Sequence, residues 1–196
     1  FAHTEGANRV DGFLVDLPQA GLAVDDRQKL MGVNALPLYP VTLDDVQVPA
    51  ESVLGGAENG SDYQRLLNHS RVAVGALAVG VMRAAVEYAI EYAKERVQFG
   101  QPIATKQAIA FMLAECATEV DAARLMVWEA AWRLDQGLDA TREAYLAKRT
   151  ASAAAVTVTD SAVQTLGGYG YIRDYPVERW LRHARGLATF DGLAIV

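Results

Sequence analysis

The fold is decided by residues 67–92, LNHSRVAVGALAVGVMRAAVEYAIEY. Residues in this run recur at a four-three spacing, which places them on one face of a helix. They are Leu67, Arg71, Val74, Ala78, Val81, Ala85, Tyr88 and Tyr92. The pattern predicts a long helix between Ser61 and Val97, ended by Phe99-Gly100-Gln101-Pro102.

Three more helices are predicted downstream of this one. The second starts after Pro102, where a proline suits the first helical turn, and Gly137 ends it. The third runs from about Thr141 to Leu166, and the segment from Pro176 to Ala184 makes a short last helix. Antiparallel helices with apolar stripes and short loops describe a bundle. The predicted fold class is therefore mainly α, an antiparallel four-helix bundle behind a small β segment.

The residues before Leu54 carry strand and turn signals instead. Gly12–Leu17 is a short apolar run, and Val46–Val48 alternates up to a proline. Leu36–Leu43 contains two prolines, which suits an edge strand or irregular chain. This part is too short to close a barrel or sandwich alone. Gly55–Gly60 is the clearest boundary, so the predicted domains are 1–55 and 56–196.

Composition excludes several classes of protein. The chain has 196 residues, is 52% hydrophobic and has a formal net charge of -6, with its charges scattered. That argues against nucleic acid and an anionic membrane as partners. We see no signal peptide or membrane span, and the single Cys116 rules out a disulfide framework and a cysteine metal site. We expect a buried Cys116, no metal and a reduced, cytoplasmic setting.

The candidate site lies in two short stretches, Gln164–Tyr171 (QTLGGYGY) and Thr189–Leu193 (TFDGL). Adjacent glycines allow the backbone to turn sharply or to press against a flat ligand. An ordinary helix C-cap and turn is the alternative interpretation. Asp191 is a candidate general base if its apolar neighbours raise the pKa of its carboxyl.

Three cations interrupt the apolar helix stripes. Arg71, Arg124 and Lys148 each either pair with a carboxylate between helices or reach the end of the bundle. Arg71 lies near the start of its helix, where it could instead face a ligand.

Polar residues near the helix ends are also candidates. Arg96 could bind a phosphate through its bidentate fork, although a solvated helix-end cation is the simpler interpretation from the residues alone. The amides of Gln107 and Gln164 could contact a heterocycle or face water.

Taken together, these segments resemble the acyl-CoA dehydrogenase family of flavoproteins. The matching motifs are VQVPAESVLG (46–55), RVQFGQPI (96–103), Gln107, AAR (122–124), QTLGGYGY (164–171) and YPVER (175–179). The resemblance implies that residues up to about Leu54 are the rear part of a β-barrel-like middle domain and the rest a C-terminal four-helix domain. The family's N-terminal helical domain, and the helix after its catalytic loop, are then absent from this sequence.

The resemblance also implies a function. The family removes hydrogens from the α and β carbons of an acyl-CoA thioester, and its FAD passes electrons to an electron-transfer flavoprotein. Arg71 and Gly192 would lie on the substrate side, with Asp191 as the base. The residues implied in FAD binding are Arg96, Phe99, Gln107, Gln164, Leu166, Gly167, Gly168 and Leu193. Because the family shares each FAD between chains, a homo- or hetero-oligomer, dimer or tetramer, is implied.

The sequence departs from the family at the base. The family's Glu-Gly-Thr loop is Asp191-Gly192-Leu193 here, and Asp retracts the carboxylate by roughly 1 to 1.5 Å. A displacement of that size can cost about a hundredfold in rate. The alternative base position of the family holds Ser70, and His183 replaces a usual aspartate.

Two interpretations therefore stand. In one, the chain is a working dehydrogenase subunit with Asp191 as base. In the other, it is a catalytically degenerate partner that supports the FAD of a sister chain, as in family heteromers acting on bulky steroid-derived acyl-CoA. Family relatives with oxidase or monooxygenase chemistry are a third, smaller class.

Overall fold

The computed structural model describes residues 1–4 and 9–190, which form two compact units. The first unit contains residues 1–30 and 34–67, and the second contains residues 31–33 and the chain from Asn68 onward. These units are not the same as the predicted domains, 1–55 and 56–196, and that domain division stays a prediction.

The first unit holds two small antiparallel sheets. Strands β1 (Ala2–Thr4) and β2 (Arg9–Asp11) pair, as do β3 (Leu22–Val24) and β4 (Val41–Leu43). The fully buried carboxylate of Asp11 accepts hydrogen bonds from Arg9 Nε at 2.8 Å and from the Ser61 amide at 3.0 Å. These bonds compensate the desolvation of the charge.

Two strand predictions in this unit are wrong in extent. Val46–Val48 forms no strand, since the β3–β4 pairing stops where Asp44 donates its amide to the Gly21 carbonyl. Pro49 then offers no amide to extend a ladder. Gly12–Leu17 contributes one isolated bridge, Phe13 to Val53.

Four helices follow. They are α1 (Tyr63–Glu95), α2 (Gln107–Asp135), α3 (Thr141–Leu166) and α4 (Val177–Leu187). A two-residue hairpin, β5 (Val97–Gln98) with β6 (Gln101–Pro102), separates α1 from α2. The predicted mainly α, four-helix architecture is confirmed.

The core that joins these helices is unusually rich in alanine. All six residues of the predicted α3 stripe are buried: Ala144, Lys148, Ala151, Ala155, Val158 and Ala162. The five apolar members pack in shared clusters with residues of the other helices, such as Met82 on α1 and Val127 on α2. Because alanine adds little apolar area, the stability of this core depends on close packing.

Glycines end the elements next to the candidate site. Gly167 follows α3 with a φ of 59° and donates its amide to the Gln164 carbonyl. In the hairpin turn, Phe99 and Gly100 have φ values of 55° and 80°. Positive φ at both central residues is typical of a two-residue hairpin turn, and it is costly for the phenylalanine.

Two expectations from composition concern Cys116 and membrane spans. Cys116 is buried as expected, and burial raises the pKa of its thiol. Within the described ranges, one helix, α1, is long and apolar enough by length and composition to cross a membrane, a test that a buried core helix also passes. Its fully buried residues Ala78, Met82 and Ala85 pack in the bundle core, which accounts for much of its apolar character.

Helix α4 binds the segment Met31–Val33 of the same unit. The Val33 amide donates a 2.8 Å hydrogen bond to Nδ1 of His183, and Arg182 Nη1 donates to the Met31 carbonyl at 2.8 Å. A Cβ on Gly186 would lie only 2.7 Å from Cγ2 of Val33, so α4 needs a glycine there. His183 therefore acts as a hydrogen-bond acceptor.

Candidate functional site

A cavity of about 460 Å³ opens where the ends of α1 and α3 meet. Its lining residues come from α1, the hairpin, the turn before α2, and the end of α3 with the segment after it. They are Tyr92, Arg96, Gln98, Ile103, Thr165, Leu166, Gly167, Gly168, Tyr169 and Ile172. This lining contains one cation, Arg96, and no carboxylate from the described part of the chain.

Arg96 supplies the charge of this cavity. It follows the last residue of α1, and its backbone is fixed on both sides: its amide donates to Tyr92 and its carbonyl accepts from Ile103. Its half-buried guanidinium lies 5.3 Å from the ring centroid of Tyr169. No described residue accepts a hydrogen bond or forms an ion pair with this guanidinium. Its N–H donors are therefore available to an anion.

The two adjacent glycines form the flat part of the lining. A Cβ added at Gly167 or Gly168 would meet no atom within 4 Å, so both glycines face open space. Gly170 differs, since a Cβ there would overlap the Val163 carbonyl oxygen of α3. Gly170 is thus needed for packing, while Gly167 and Gly168 leave room for a ligand against the backbone.

Tyrosines form the apolar wall beside Arg96. Tyr169 packs against Tyr175 with ring centroids 5.3 Å apart and an interplanar angle of 50°. Tyr92 lies one helical turn before Arg96, and burial raises the pKa of its phenol despite the opposing charge of Arg96. Tyr92 therefore stays neutral near pH 7, because the ordinary pKa of tyrosine is already about 10.

The structure brings together four of the predicted cofactor residues: Arg96, Leu166, Gly167 and Gly168. It places the other three described candidates outside the cavity. Phe99 projects from the hairpin turn and is 92% exposed, with the Lys106 ammonium 5.8 Å from its ring centroid. Gln107 starts α2 and Gln164 lies in the last turn of α3, both with exposed side chains.

The remaining predicted site residues fall in two places. Asp191, Gly192 and Leu193 lie outside the described residues. Arg71 is buried in α1, and its guanidinium lies 5.5 Å from the ring centroid of Tyr145 on α3.

The other two cations on apolar stripes, Lys148 and Arg124, have different partners. Lys148 is buried and donates from Nζ to the Ala188 carbonyl at 3.1 Å, which links α3 to the end of α4. Arg124 pairs with Asp121 on its own helix at 2.7 Å. The prediction that Arg124 pairs between helices or reaches the bundle end is therefore wrong, because a carboxylate three residues away is nearer.

A second cavity, of about 470 Å³, lies beside α3 and the end of α4. Its lining includes Tyr145, Lys148, Arg149, Ser152 and Arg185. It contains none of the predicted cofactor residues that the structure describes.

Six of the ten residues that line the first cavity are not among the predicted cofactor residues. Thr165 and Tyr169 lie in the candidate stretch but had no role assigned to them, and Ile172 lies just past it. The signal for Tyr92 was present, since it precedes Arg96 by four residues.

Across residues 1–4 and 9–190, no group of three His, Cys, Asp or Glu could hold a metal ion.

Such an arrangement suits a flat ligand that carries phosphate. The Arg96 guanidinium, which has no hydrogen-bond acceptor among the described residues, offers paired donors for phosphate oxygens, and the open glycines allow close approach. The tyrosine rings add an apolar surface beside it. None of these described groups is placed as a general base.

The comparisons with known proteins agree with this geometry. Residues 61–194 match the family model described as acyl-CoA dehydrogenase, C-terminal domain. An acyl-CoA dehydrogenase of Bacillus subtilis is 40% identical over 192 residues, covering 97% of this chain and 51% of the relative. CarC, a subunit of the caffeyl-CoA reductase-Etf complex of Acetobacterium woodii, is 39% identical over 194 residues, covering 98% of this chain and 51% of CarC.

A solved structure shows the same fold. PigA with FAD and proline superposes with a TM-score of 0.85 at 26% identity, covering 92% of this chain and 47% of that chain. The chain thus spans about half the length of the relatives it matches.

Proposed function

Because the chain belongs to the acyl-CoA dehydrogenase family, we propose that it forms the C-terminal part of an FAD-dependent acyl-CoA dehydrogenase. The reaction is α,β-dehydrogenation of an acyl-CoA thioester to the 2-enoyl-CoA. The observation that carries the proposal is the first cavity, which Arg96 lines together with the open glycine backbone at Gly167 and Gly168.

The residues of this cavity fit FAD. Arg96 is half-buried, the cavity lining contains no carboxylate from the described residues, and the two glycines leave a surface that a side chain would obstruct. Arg96, Leu166, Gly167 and Gly168 would hold the cofactor. When bound, FAD supplies the acceptor for the hydride of the substrate. The part of this chain is to bind and orient that cofactor and to keep water from one side of it.

Exposed candidates support an oligomer that shares its FAD sites. Phe99, Gln107 and Gln164 surround the same end of the bundle without lining the cavity, and Phe99 is almost fully exposed. Such side chains are available to cofactor held by another subunit. We therefore propose a homo- or hetero-oligomer, dimer or tetramer.

The electron acceptor is proposed from a relative. The name of CarC places that protein in a complex with Etf, and it is 39% identical to this chain over nearly the whole chain length. This supports an electron-transfer flavoprotein as the partner that oxidises the reduced enzyme. The cytoplasmic setting stays a prediction.

Arg96 provides the first experiment, on FAD affinity in the full-length protein. Loss of a charge-assisted phosphate contact of about 1.5–3 kcal/mol predicts that Arg96→Gln weakens FAD binding roughly 10- to 150-fold. Arg83→Gln is the matched control, because Arg83 lies on α1, the helix that ends just before Arg96, and is exposed and pairs with Glu87 at 2.7 Å. Equal FAD affinity in Arg96→Gln and Arg83→Gln would show that the first cavity does not bind FAD through Arg96.

Asp191 remains the proposed base. Arg71 and Gly192 are proposed to contact the substrate, and Leu193 is proposed to contact FAD. The test is anaerobic reduction of bound FAD by a series of acyl-CoA thioesters. Asp191→Asn should abolish thioester-dependent bleaching of the flavin while FAD stays bound. Undiminished bleaching in that variant would exclude Asp191 as the base.

A second candidate function has a specific observation in its favour. Neither family base position holds glutamate, since they carry Asp191 and Ser70. A degenerate subunit would contribute its cofactor residues to a sister chain while turning over no substrate itself. Such a chain should purify with little FAD alone and gain FAD on co-expression with the sister chain, whereas full loading and turnover by the isolated chain would exclude it.

A further inference from the structure

We propose that Tyr169 is a positioning residue whose ring holds the Arg96 guanidinium in place for the phosphate of the cofactor. This rests on the function proposed above and deepens it by assigning a role to a residue that is not among the predicted cofactor-binding residues.

The Arg96 guanidinium lies over the ring of Tyr169. The guanidinium carbon lies 5.3 Å from the Tyr169 ring centroid, within the range of a cation–π interaction. In the part of the chain that the structure describes, no acceptor competes for the guanidinium, so its orientation follows from the ring and from the fixed backbone of Arg96. A cation–π contact uses the face of the guanidinium and leaves its N–H edge free to donate.

Tyr169 is itself held firmly. It lies in the helical turn Gly167–Tyr171 that continues directly from α3. The next residue, Gly170, is buried so close to the Val163 carbonyl that no side chain fits there. On its other side the Tyr169 ring packs against Tyr175. The Tyr169 ring is therefore fixed relative to α3, and it contacts the Arg96 side chain at the end of α1.

The consequence is preorganisation of the phosphate site. A free arginine side chain loses rotamer freedom when it binds a ligand, and a contact that orders it beforehand lowers that cost. Tyr169 is 40% exposed, so the contact is only partly desolvated and its effect on affinity should be moderate. We expect the loss of the ring to weaken FAD binding roughly three- to tenfold.

The test is a double-mutant cycle on FAD dissociation constants, measured with full-length apoprotein. Tyr169→Phe keeps the ring and should bind FAD within about twofold of the wild type. Tyr169→Leu should bind it about three- to tenfold more weakly, but should have no added effect in an Arg96→Gln background. Tyr171→Leu is the matched control, since Tyr171 lies in the same turn, is 87% exposed and does not line the cavity.

Several outcomes would overturn the proposal. An equal loss in Tyr169→Phe would assign the effect to the hydroxyl, and an equal loss on top of Arg96→Gln would show that the ring acts independently of the guanidinium. Should Tyr169→Leu fail to fold, Tyr169→Met replaces it with the same expectations. If Arg96→Gln itself leaves FAD affinity unchanged, the proposed cofactor site fails. If Arg96→Gln weakens binding and neither apolar variant does, only the role of Tyr169 fails.

Discussion

Acidification should weaken the contact between α4 and Met31–Val33 through His183. Nδ1 of His183 accepts the Val33 amide at 2.8 Å, and an imidazolium has no lone pair with which to accept it. Burial lowers the pKa of His183, and the charges of Arg182 and Arg179 lower it further, while Glu178 opposes them. The folded protein thus favours the neutral, accepting form.

The sign and size of the effect follow from this shift. Because the pKa is lower in the folded state than its usual value of about 6.5, the stabilisation is complete above about pH 6.5 and is lost as the pH falls through the folded pKa. Losing a hydrogen bond and leaving the Val33 amide facing a positive ring costs about 1–2 kcal/mol. For a protein of this size, that lowers the melting temperature by roughly 2–8 °C.

The assay compares thermal unfolding of the wild type and His183→Asn at pH values from about 7.5 down to about 5. Asparagine can accept the Val33 amide without titrating, so the difference between the two isolates His183 from the carboxylates that also titrate. The wild type should lose stability relative to the variant across this range. Parallel melting curves for the wild type and His183→Asn would show that protonation of His183 does not weaken this contact.

Three further predictions concern packing and charge, each read from urea unfolding. Gly170→Ala should destabilise the protein by about 1–3 kcal/mol because its Cβ overlaps the Val163 carbonyl, while Gly168→Ala should change stability by less than about 0.5 kcal/mol; equal effects would contradict the distinction between the two glycines. Met82→Ala should cost about 2–5 kcal/mol, since Met82 is fully buried in the bundle core, and a cost below about 1 kcal/mol would show that the core is loosely packed there. Arg124→Gln should cost less than about 1 kcal/mol, because its partner Asp121 is exposed on the same helix, and a larger loss would point to an unrecognised buried role.

Helix periodicity predicted most of the bundle because each long helix buries one stripe. The α3 stripe from Ala144 to Ala162 is fully buried, and both boundaries of α3 match the prediction. The strand predictions were less successful. Val46–Val48 alternates like a strand, but pairing depends on a partner that local sequence does not specify.

In the candidate site too, features encoded in neighbouring residues were predicted, whereas contacts between distant segments were not. The Gly167–Gly168 break was visible locally, and the motif resemblance predicted Arg96 beside it. The ring of Tyr169 over Arg96 could not be predicted, because it depends on how the end of α1 approaches the end of α3. Phe99 and Gln107 lie outside the cavity, and their contact with the FAD of a second subunit stays a proposal.

The most direct test of the cofactor site is a structure of the full-length oligomer with FAD bound. It should place a phosphate of FAD within hydrogen-bond distance of the Arg96 guanidinium, with the cofactor against the backbone of Gly167 and Gly168. FAD bound elsewhere, with Arg96 facing solvent, would contradict the account.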